Sequence, residues 1–302
     1  MSTRLVLVSG HTFGRRAYEG VFASAPYLEG RIEVPLVIGL PGEKTASTVG
    51  YSSIADLARE QGADFITAAD GSLRSLAATI RAREPHYLLV VGWSRLVHPE
   101  VLRIPAALHG AEGAGCIGMH PTRLPLGRGQ APIPWTIIKG LESTALSVFF
   151  LEAEADTGPV IAQHDLPVRP RETSASLFYR VAQTHFTAGH DLAEALATRT
   201  VRGTVQSEES ASRWPRRRPA DGRIDHTMPY AGIDALVRAL LGPYPRAFAV
   251  VGGQEYPVVS ARLIPAADHD PKLAEVLPDR VRFGCPEGIA ELVREVPGPV
   301  TP

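Results

Sequence analysis

The stretch LVLVSGHTFG, residues 5–14, decides how the fold begins. Its first four residues are apolar and predict a buried strand, and the turn at Gly10 leads into a helical pattern at 15–23. Further elements alternate along the chain, with strands predicted at 32–38 and 87–91 and helices at 52–61 and 73–83. Strands that alternate with helices predict an α/β fold, in which a doubly wound, mostly parallel, Rossmann-like sheet carries helices on both faces.

The rest of the chain predicts the end of this domain and a second, smaller one. Elements of the first domain continue as helices at 133–139 and 175–197 and strands at 146–151 and 160–166. The polar stretch 206–212 is typical of an interdomain linker. A helix at 232–241 and strands at 247–251 and 256–263 follow it. We therefore predict a catalytic domain at 1–203 and a mainly β carboxy-terminal domain at 204–302.

Composition narrows the class of protein. The 302 residues are 44% hydrophobic and 21% charged, with a formal net charge of −1, so a nucleic acid as the main partner loses support. Only two cysteines are present, and they lack the spacing of metal ligands. No apolar run is long enough to span a membrane, and the amino terminus lacks the pattern of a signal peptide. We expect a cytoplasmic protein without a metal or a membrane partner.

A histidine in a rigid segment is the first candidate for chemistry. His120 lies in IGMHPTRLP (117–125), RGQAPI (128–133) follows, and Asp156 begins DTG (156–158). Loops rich in glycine and proline on an α/β scaffold commonly carry catalytic groups, and a nearby carboxylate favours the imidazolium form of a histidine. The sequence predicts that His120 and Asp156 form one site. Arg128 is interpreted either as an anion-binding residue or as a structural one.

Other predicted site residues follow strands of the same sheet. Ligands of open parallel sheets bind beyond the carboxyl ends of the strands. This rule places residues 11–13, residues 93–94 and the His120 loop at one edge. The DTG triplet is also found in aspartic proteases, but those enzymes pair two such carboxylates and this chain has one copy.

These motifs resemble the 10-formyltetrahydrofolate-dependent formyltransferase family. The family pattern is approximately Asn-x-His-Pro-Ser-x-Leu-Pro, then Arg-Gly-x-x-Pro-Ile-x-Trp, then Asp-Thr-Gly or Asp-Ser-Gly. The chain matches it at 118–125, 128–135 and 156–158. Residues 221–225 and 237–248 resemble the carboxy-terminal domain of members that act on tRNA or on amino sugars.

The resemblance implies an enzyme, a folate-dependent formyltransferase. It would move a formyl group from the co-substrate 10-formyltetrahydrofolate to the primary amine of a small molecule, with a nucleotide-linked amino sugar as the preferred acceptor. His120 would accept the amine proton or stabilise the oxyanion, and Asp156 would orient His120. Methionyl-tRNA formyltransferase, a formyltetrahydrofolate hydrolase and a non-catalytic ligand-binding member of the fold stay open as alternatives. A homodimer is also left open.

Binding residues are assigned on the same resemblance. Predicted contacts with the folate are Gly92, Trp93, Leu96, Arg128, Glu154 and Ala155. Predicted contacts with the amine substrate are His11, Thr12, Phe13, Ser94, Thr122 and Gln130.

The chain departs from the family pattern at one catalytic position. Gly118 stands where the family has asparagine, and the whole sequence contains no asparagine. In the family that side chain donates a hydrogen bond to the oxyanion, and loss of one such donor typically costs about 10²–10³ in rate. Another donor, such as Gln130, Ser94, Thr122 or a backbone N–H exposed by Gly118, is one resolution. More room for a bulkier substrate and loss of transferase activity are the others.

Overall fold

A seven-stranded sheet organises the first part of the chain, as predicted. The computed structural model describes residues 2–110 and 114–295. The strands up to residue 214 are β1 (Thr3–Val8), β2 (Ile32–Gly39), β3 (Asp64–Thr67), β4 (Tyr87–Val91), β5 (Gly115–His120), β6 (Arg128–Gly129), β7 (Ser143–Phe150), β8 (Val160–Pro167) and β9 (Arg213–Trp214). Their order in the large sheet is β3-β2-β1-β4-β5-β7-β8, and β6 pairs separately with β9. The predicted α/β class with a mostly parallel sheet is confirmed.

Helices alternate with these strands. They are α1 (Thr12–Phe22), α2 (Ala25–Leu28), α3 (Ala55–Glu60), α4 (Ala77–Arg81), α5 (Pro99–Leu102), α6 (Ile104–His109), α7 (Pro132–Ile138), α8 (Ser174–Thr198) and α9 (Tyr230–Ala239). Short 3₁₀ helices span Gly42–Ser47, Arg74–Leu76 and Pro219–Gly222. The helix predicted at 52–61 starts later, because the Ser52 N–H donates to the Gly10 carbonyl and residues 52–54 stay outside the helix. The helix predicted at 73–83 is split into a 3₁₀ turn and α4.

The burial of strand β1 is typical of a parallel sheet that is covered on both faces. Leu5, Val6, Leu7 and Val8 of β1 are all fully buried. Successive residues of a strand point to opposite faces, so burial of all four means that both faces of β1 are covered. The pairs among the first five strands of this sheet, β1 to β5, are parallel. Strand β7 is antiparallel to both of its neighbours, β5 and β8. Helix α1 packs very closely against α8, since a Cβ at Gly20 would lie 2.0 Å from the carbonyl oxygen of Phe186 in α8.

Residue contacts divide the chain into two units. The first contains the described residues up to 129 together with 143–167 and 179–214. The second contains 130–142, 168–178 and the described residues from 215 onward. The units therefore interleave along the chain, and α7 belongs to the second. The single boundary at residue 203 stays a prediction, because packing units and sequence domains need not coincide.

The second unit is mainly β, as predicted. Its strands are β10 (Ala247–Val251), β11 (Gln254–Pro265), β12 (Ala274–Val276), β13 (Arg280–Cys285) and β14 (Gly288–Arg294), in the order β10-β11-β14-β13-β12. All neighbours are antiparallel. Helix α9 is tied to β11 through the Tyr230 hydroxyl, which donates to the Ala261 carbonyl at 3.0 Å.

Candidate active site

The carboxyl ends of three strands bring the predicted site segments together. β1, β4 and β5 are parallel neighbours, so the residues that end them or follow them lie at one edge of the sheet. His11 follows β1, Gly92 follows β4, and His120 is the last residue of β5. Gly92 has a φ of +65° and faces His11 so closely that a Cβ there would lie 2.6 Å from the His11 Cβ.

His120 is held with one ring nitrogen available. Its Nε2 lies 2.9 Å from the Gly127 carbonyl oxygen, so Nε2–H donates and a neutral ring carries its lone pair on Nδ1. Nδ1 lies 3.8 Å from Asp156 Oδ2, too far for a direct hydrogen bond but close enough for charge attraction. The His120 ring is buried, and the residue is only 7% exposed. A proton that reaches Nδ1 therefore meets the carboxylate.

The loop after His120 is tied back to the antiparallel part of the sheet. Ser147, the β7 partner of His120, accepts a hydrogen bond from the Leu124 N–H at 3.1 Å and donates to the Thr122 carbonyl at 2.6 Å. Gln163 of β8 donates to the Leu124 carbonyl and to the Ser147 hydroxyl, both at 2.9 Å. These bonds fix the direction in which the chain leaves His120.

Asp156 is fixed by its own backbone and by Gly129. It lies between β7 and β8 with a φ of +60°, a left-handed conformation that is uncommon outside glycine. Its Oδ2 accepts the Gly129 N–H at 2.8 Å. Gly129 itself has a φ of +111°, and a Cβ there would lie 2.4 Å from the Trp214 carbonyl oxygen, so only glycine fits. The carboxylate is thus anchored beside Nδ1 of His120.

The space beside Gly118 is filled. A Cβ at this position would lie 2.6 Å from Cδ2 and 3.3 Å from Cγ of Leu151, and 3.4 Å from Cε1 of Phe149. Leu151 follows β7, and its N–H donates to the Cys116 carbonyl of β5 at 2.8 Å. The missing asparagine is therefore not replaced by an empty pocket, since the end of the Leu151 side chain lies at that position.

We expect Gly118→Asn to destabilise the protein by about 1–3 kcal/mol, because inserting side-chain atoms into a packed region forces Leu151 to move. Leu151→Ala in the same chain should relieve that overlap. Urea denaturation of the wild type, both single variants and the double variant measures the coupling between the positions. A double variant whose loss of stability equals the sum of the two single losses would contradict this packing.

Arg128 has a structural environment. It is 1% exposed, and its guanidinium donates to Gln206 Oε1 at 3.1 and 2.9 Å and to Glu208 at 3.0 and 2.8 Å. These contacts favour the structural interpretation of Arg128 over the anion-binding one. In the segment predicted as a linker, 206–212, Ser212 and Gln206 are bonded to the loops of the first unit, and the linker itself stays a prediction. The segment is polar because it supplies hydrogen bonds to these loops.

The turn after β1 is largely engaged by the protein itself. His11 caps α1 by accepting the Phe13 N–H on Nδ1 at 3.0 Å, and the Thr12 hydroxyl donates to the Gly50 carbonyl at 3.1 Å. The Phe13 ring is 7% exposed and stacks on the His185 ring at 4.5 Å. The structure thus gives Thr12 and Phe13 intramolecular partners, and their contact with substrate stays a prediction.

Two of these histidines are held neutral. Burial lowers the pKa of His11 to about 4, against the opposing effect of a backbone hydrogen bond with Val49. Burial also lowers the pKa of His185 to about 3, and nearby His11 and His120 lower it further, while the Val181 carbonyl opposes the shift. At neutral pH neither residue adds positive charge beside His120.

The other predicted binding residues differ in exposure. Trp93 is partly buried against the core, whereas Ser94 and Leu96 are exposed, Leu96 at 64%. Glu154 is exposed and pairs with Arg213 at 3.2 Å, and Ala155 precedes Asp156 in the same turn. Their contacts with a folate stay predictions.

Two predicted substrate residues, Thr122 and Gln130, differ from each other in exposure. Thr122 is 1% exposed, and its hydroxyl oxygen has no hydrogen-bond partner among the described residues. Gln130 is exposed and belongs to the second unit. Both assignments stay predictions.

Some residues around the site were not assigned to it from the sequence. Ser147, Gln163 and His185 carry no motif, although the alternation of β7 and β8 places Ser147 and Gln163 opposite one another. Gln206 lies in the polar stretch 206–212, whose composition does not distinguish it from its neighbours. Within 2–110 and 114–295 no group of three or more His, Cys, Asp or Glu is arranged for a metal ion. No helix in those ranges is long and apolar enough to cross a membrane.

Cavities of about 560 and 200 Å³ lie among the described residues of the second unit. Neither is lined by a predicted site residue. We assign the site from the side-chain chemistry at the sheet edge, because depth alone does not supply a catalytic group.

The chain thus combines a doubly wound sheet, with a histidine and a carboxylate at its edge, and a small antiparallel sheet. The model of the formyl transferase family matches residues 44–189, and the model of the formyl transferase carboxy-terminal domain matches residues 217–297. The chain belongs to the formyltransferase family.

Solved structures of related folds agree with this assignment. An N-formyltransferase from Helicobacter canadensis, in complex with folinic acid and dTDP-3-aminofucose, is 13% identical with a TM-score of 0.71, over 97% of this chain and 100% of that chain. WlaRD, a sugar 3N-formyl transferase solved with dTDP and 5-N-formyl-THF, is 10% identical with a TM-score of 0.67, over 99% of both chains. A methionyl-tRNA formyltransferase from Clostridium thermocellum is 20% identical with a TM-score of 0.58, over 87% of this chain and 94% of that chain. At these identities the likeness shows a shared fold.

Proposed function

We propose that this protein transfers a formyl group from 10-formyltetrahydrofolate to the primary amine of a nucleotide-linked amino sugar. The observation that carries the transferase proposal is the His120–Asp156 pair, with Nδ1 of a buried imidazole held 3.8 Å from a fixed carboxylate. This arrangement suits removal of a proton from an amine, because the imidazolium that forms is stabilised by the adjacent charge.

The chain's own residues account for the proton. Nε2–H stays with the Gly127 carbonyl, so Nδ1 of His120 is the nitrogen that accepts the amine proton as the new carbon–nitrogen bond forms. Asp156 holds the imidazolium through charge attraction, while the Gly129 N–H keeps the carboxylate from turning away. When bound, the folate supplies the formyl carbon as electrophile and N10 as leaving group. His120 then returns the proton to that leaving nitrogen.

The residues at the sheet edge fit a pteridine-bearing co-substrate. Leu96 is exposed beside the partly buried Trp93, so this loop offers an apolar surface at the carboxyl end of β4. Ala155 offers a short side chain next to the catalytic carboxylate. Folinic acid and 5-N-formyl-THF are named with the two sugar enzymes of this fold, which supports the same class of co-substrate here.

The acceptor class rests on the neighbouring structures and on charge. Two neighbours of this fold are named as an N-formyltransferase in complex with dTDP-3-aminofucose and as a sugar 3N-formyl transferase, which supports an amino sugar acceptor here. The formal net charge of −1 also lacks the basic excess with which proteins hold a nucleic acid backbone.

An acceptor panel tests the proposal. The protein is incubated with 10-formyltetrahydrofolate and dTDP-3-aminofucose, other dTDP-, UDP- and GDP-linked amino sugars, or methionine-charged initiator tRNA. Release of tetrahydrofolate is followed together with product mass. We expect release that depends on an amino sugar nucleotide. Release with charged tRNA alone would assign the tRNA activity, and release without any amine would assign a hydrolase.

A further inference from the structure

Gln206 lies behind the His120–Asp156 pair, where it joins the two loops that carry the pair. Its side-chain oxygen accepts from Nε and Nη2 of Arg128 at 3.1 and 2.9 Å. Its side-chain nitrogen donates to the Asp156 carbonyl at 2.9 Å and to the Gly158 carbonyl at 2.7 Å. Both lone pairs and both protons of the amide are therefore used.

The two halves of this contact reach the catalytic groups by short paths. Arg128 lies directly after Gly127, which accepts the His120 Nε2–H, and directly before Gly129, which donates to Asp156. On the other side, the amide holds the carbonyl of Asp156 itself. Gln206 is 8% exposed, so water does not replace these bonds easily.

The Asp156 turn needs such support. The residue has a φ of +60°, a conformation that the surrounding structure must maintain. Gly158 in the same turn is packed so tightly that a Cβ there would lie 1.8 Å from the Phe150 carbonyl oxygen. A turn held this closely has few alternative arrangements, and the Gln206 amide holds two of its carbonyl groups.

We propose that Gln206 is a positioning residue that sets the separation of the His120 and Asp156 side chains without touching substrate. The proposal rests on the proposed function for its effect on rate, but the geometry it describes is independent of activity. Only an amide suits the position, because the Arg128 side requires an acceptor and the Asp156 side requires a donor. Glutamate would keep the first pair of bonds and place an oxygen against two carbonyl oxygens.

Glu208 provides a matched control. Its carboxylate binds the same Arg128 guanidinium at 2.8 Å, but it is 73% exposed, and none of its side-chain hydrogen bonds or ion pairs among the described residues reaches the Asp156 turn. Glu208→Ala therefore loosens Arg128 alone, whereas Gln206→Glu disturbs the turn alone. Gln206→Met removes both sets of bonds at similar length and carries no charge, so it serves if Gln206→Glu does not fold.

The experiment combines the reaction rate with the NMR signals of the His120 ring. For Gln206→Glu we expect kcat to fall about 10–100-fold with the two KM values changed less than about threefold, since a misplacement of about 1 Å can cost this much. Glu208→Ala should keep kcat within about threefold of wild type. In NMR spectra of labelled histidine, the signals of the His120 ring should move in the uncharged variant Gln206→Met toward their positions in Asp156→Asn, and should stay at the wild-type positions in Glu208→Ala.

The outcomes separate the two proposals. If Gln206→Met folds with the wild-type His120 ring signals and wild-type kcat, or if Glu208→Ala changes both as strongly, the positioning role is overturned. If the wild-type protein transfers formyl to no amine, the proposed function fails, and the NMR comparison still decides whether Gln206 sets the pair.

Discussion

Replacing His120 with glutamine is expected to lower kcat for formyl transfer by about 10³-fold, within the range that general acid–base catalysis supplies. Glutamine keeps a donor that can reach the Gly127 carbonyl, so the loop retains that hydrogen bond, but it has no basic nitrogen at the position of Nδ1. The loss should fall on kcat more than on KM, because the proton is taken in the transition state. Steady-state rates at saturating folate and amine measure it.

Asp156→Asn is the companion variant. Asparagine keeps an oxygen for the Gly129 N–H and removes the charge that lies 3.8 Å from Nδ1. Two charges at this distance attract by about 4 kcal/mol at an effective dielectric of about 20, and solvent reduces that figure. We expect a loss of about 100-fold in kcat.

If His120→Gln kept kcat within threefold of wild type while its melting temperature was unchanged, His120 would not be the base.

Acidification is expected to destabilise the fold strongly, because two histidines, the half-buried His11 and the buried His185, resist protonation. Burial lowers the pKa of His11 to about 4 and that of His185 to about 3 in the folded protein, below the value of about 6.5 in an unfolded chain. The unfolded state then binds more protons in acid. The stability they contribute is present above pH 6.5 and is lost as the pH falls toward 4 and 3. At pH 5 each should cost about 2 kcal/mol relative to neutral pH.

Denaturation in urea at pH 7.5 and pH 5 measures this loss. His185→Phe keeps an aromatic ring against Phe13 and cannot titrate, so it should remove about 2 kcal/mol of the difference between the two pH values. His190→Gln is the control, since the His190 side chain is 50% exposed on the same helix. A pH dependence that is the same in wild type and in His185→Phe would show that His185 is not held neutral.

Local patterns in the sequence predicted the α/β class with its mostly parallel sheet, and the structure brings His120 and Asp156 together as those patterns predicted. β1 and β4 are continuous apolar runs, and His120 and Asp156 stand in motifs that the family resemblance makes specific. Strand β13 was missed although its alternation of half-buried arginines with Val281 and Phe283 is a strand pattern. Strand β3 is only four residues long, and its length gives little signal.

Contacts between distant residues could not be predicted. Gln206 bonds to Arg128, 78 residues earlier, and composition reports that a segment is polar without naming its partners. For the same reason the sequence shows that Gly118 lacks the amide side chain of the family, but it does not show which residue fills the space beside Gly118. Leu151 fills that position because β7 pairs with β5, which only the register of the sheet reveals.

The direct test of formyl transfer follows the formyl carbon itself. The wild-type protein is given 10-formyltetrahydrofolate labelled with ¹³C in the formyl group and an amino sugar nucleotide that releases tetrahydrofolate in the acceptor panel. We predict a ¹³C-formamide on the sugar nitrogen, formed in equal amount to the tetrahydrofolate released, and almost none with His120→Gln. Label recovered as formate, or left on the folate with every acceptor, would contradict formyl transfer to an amine.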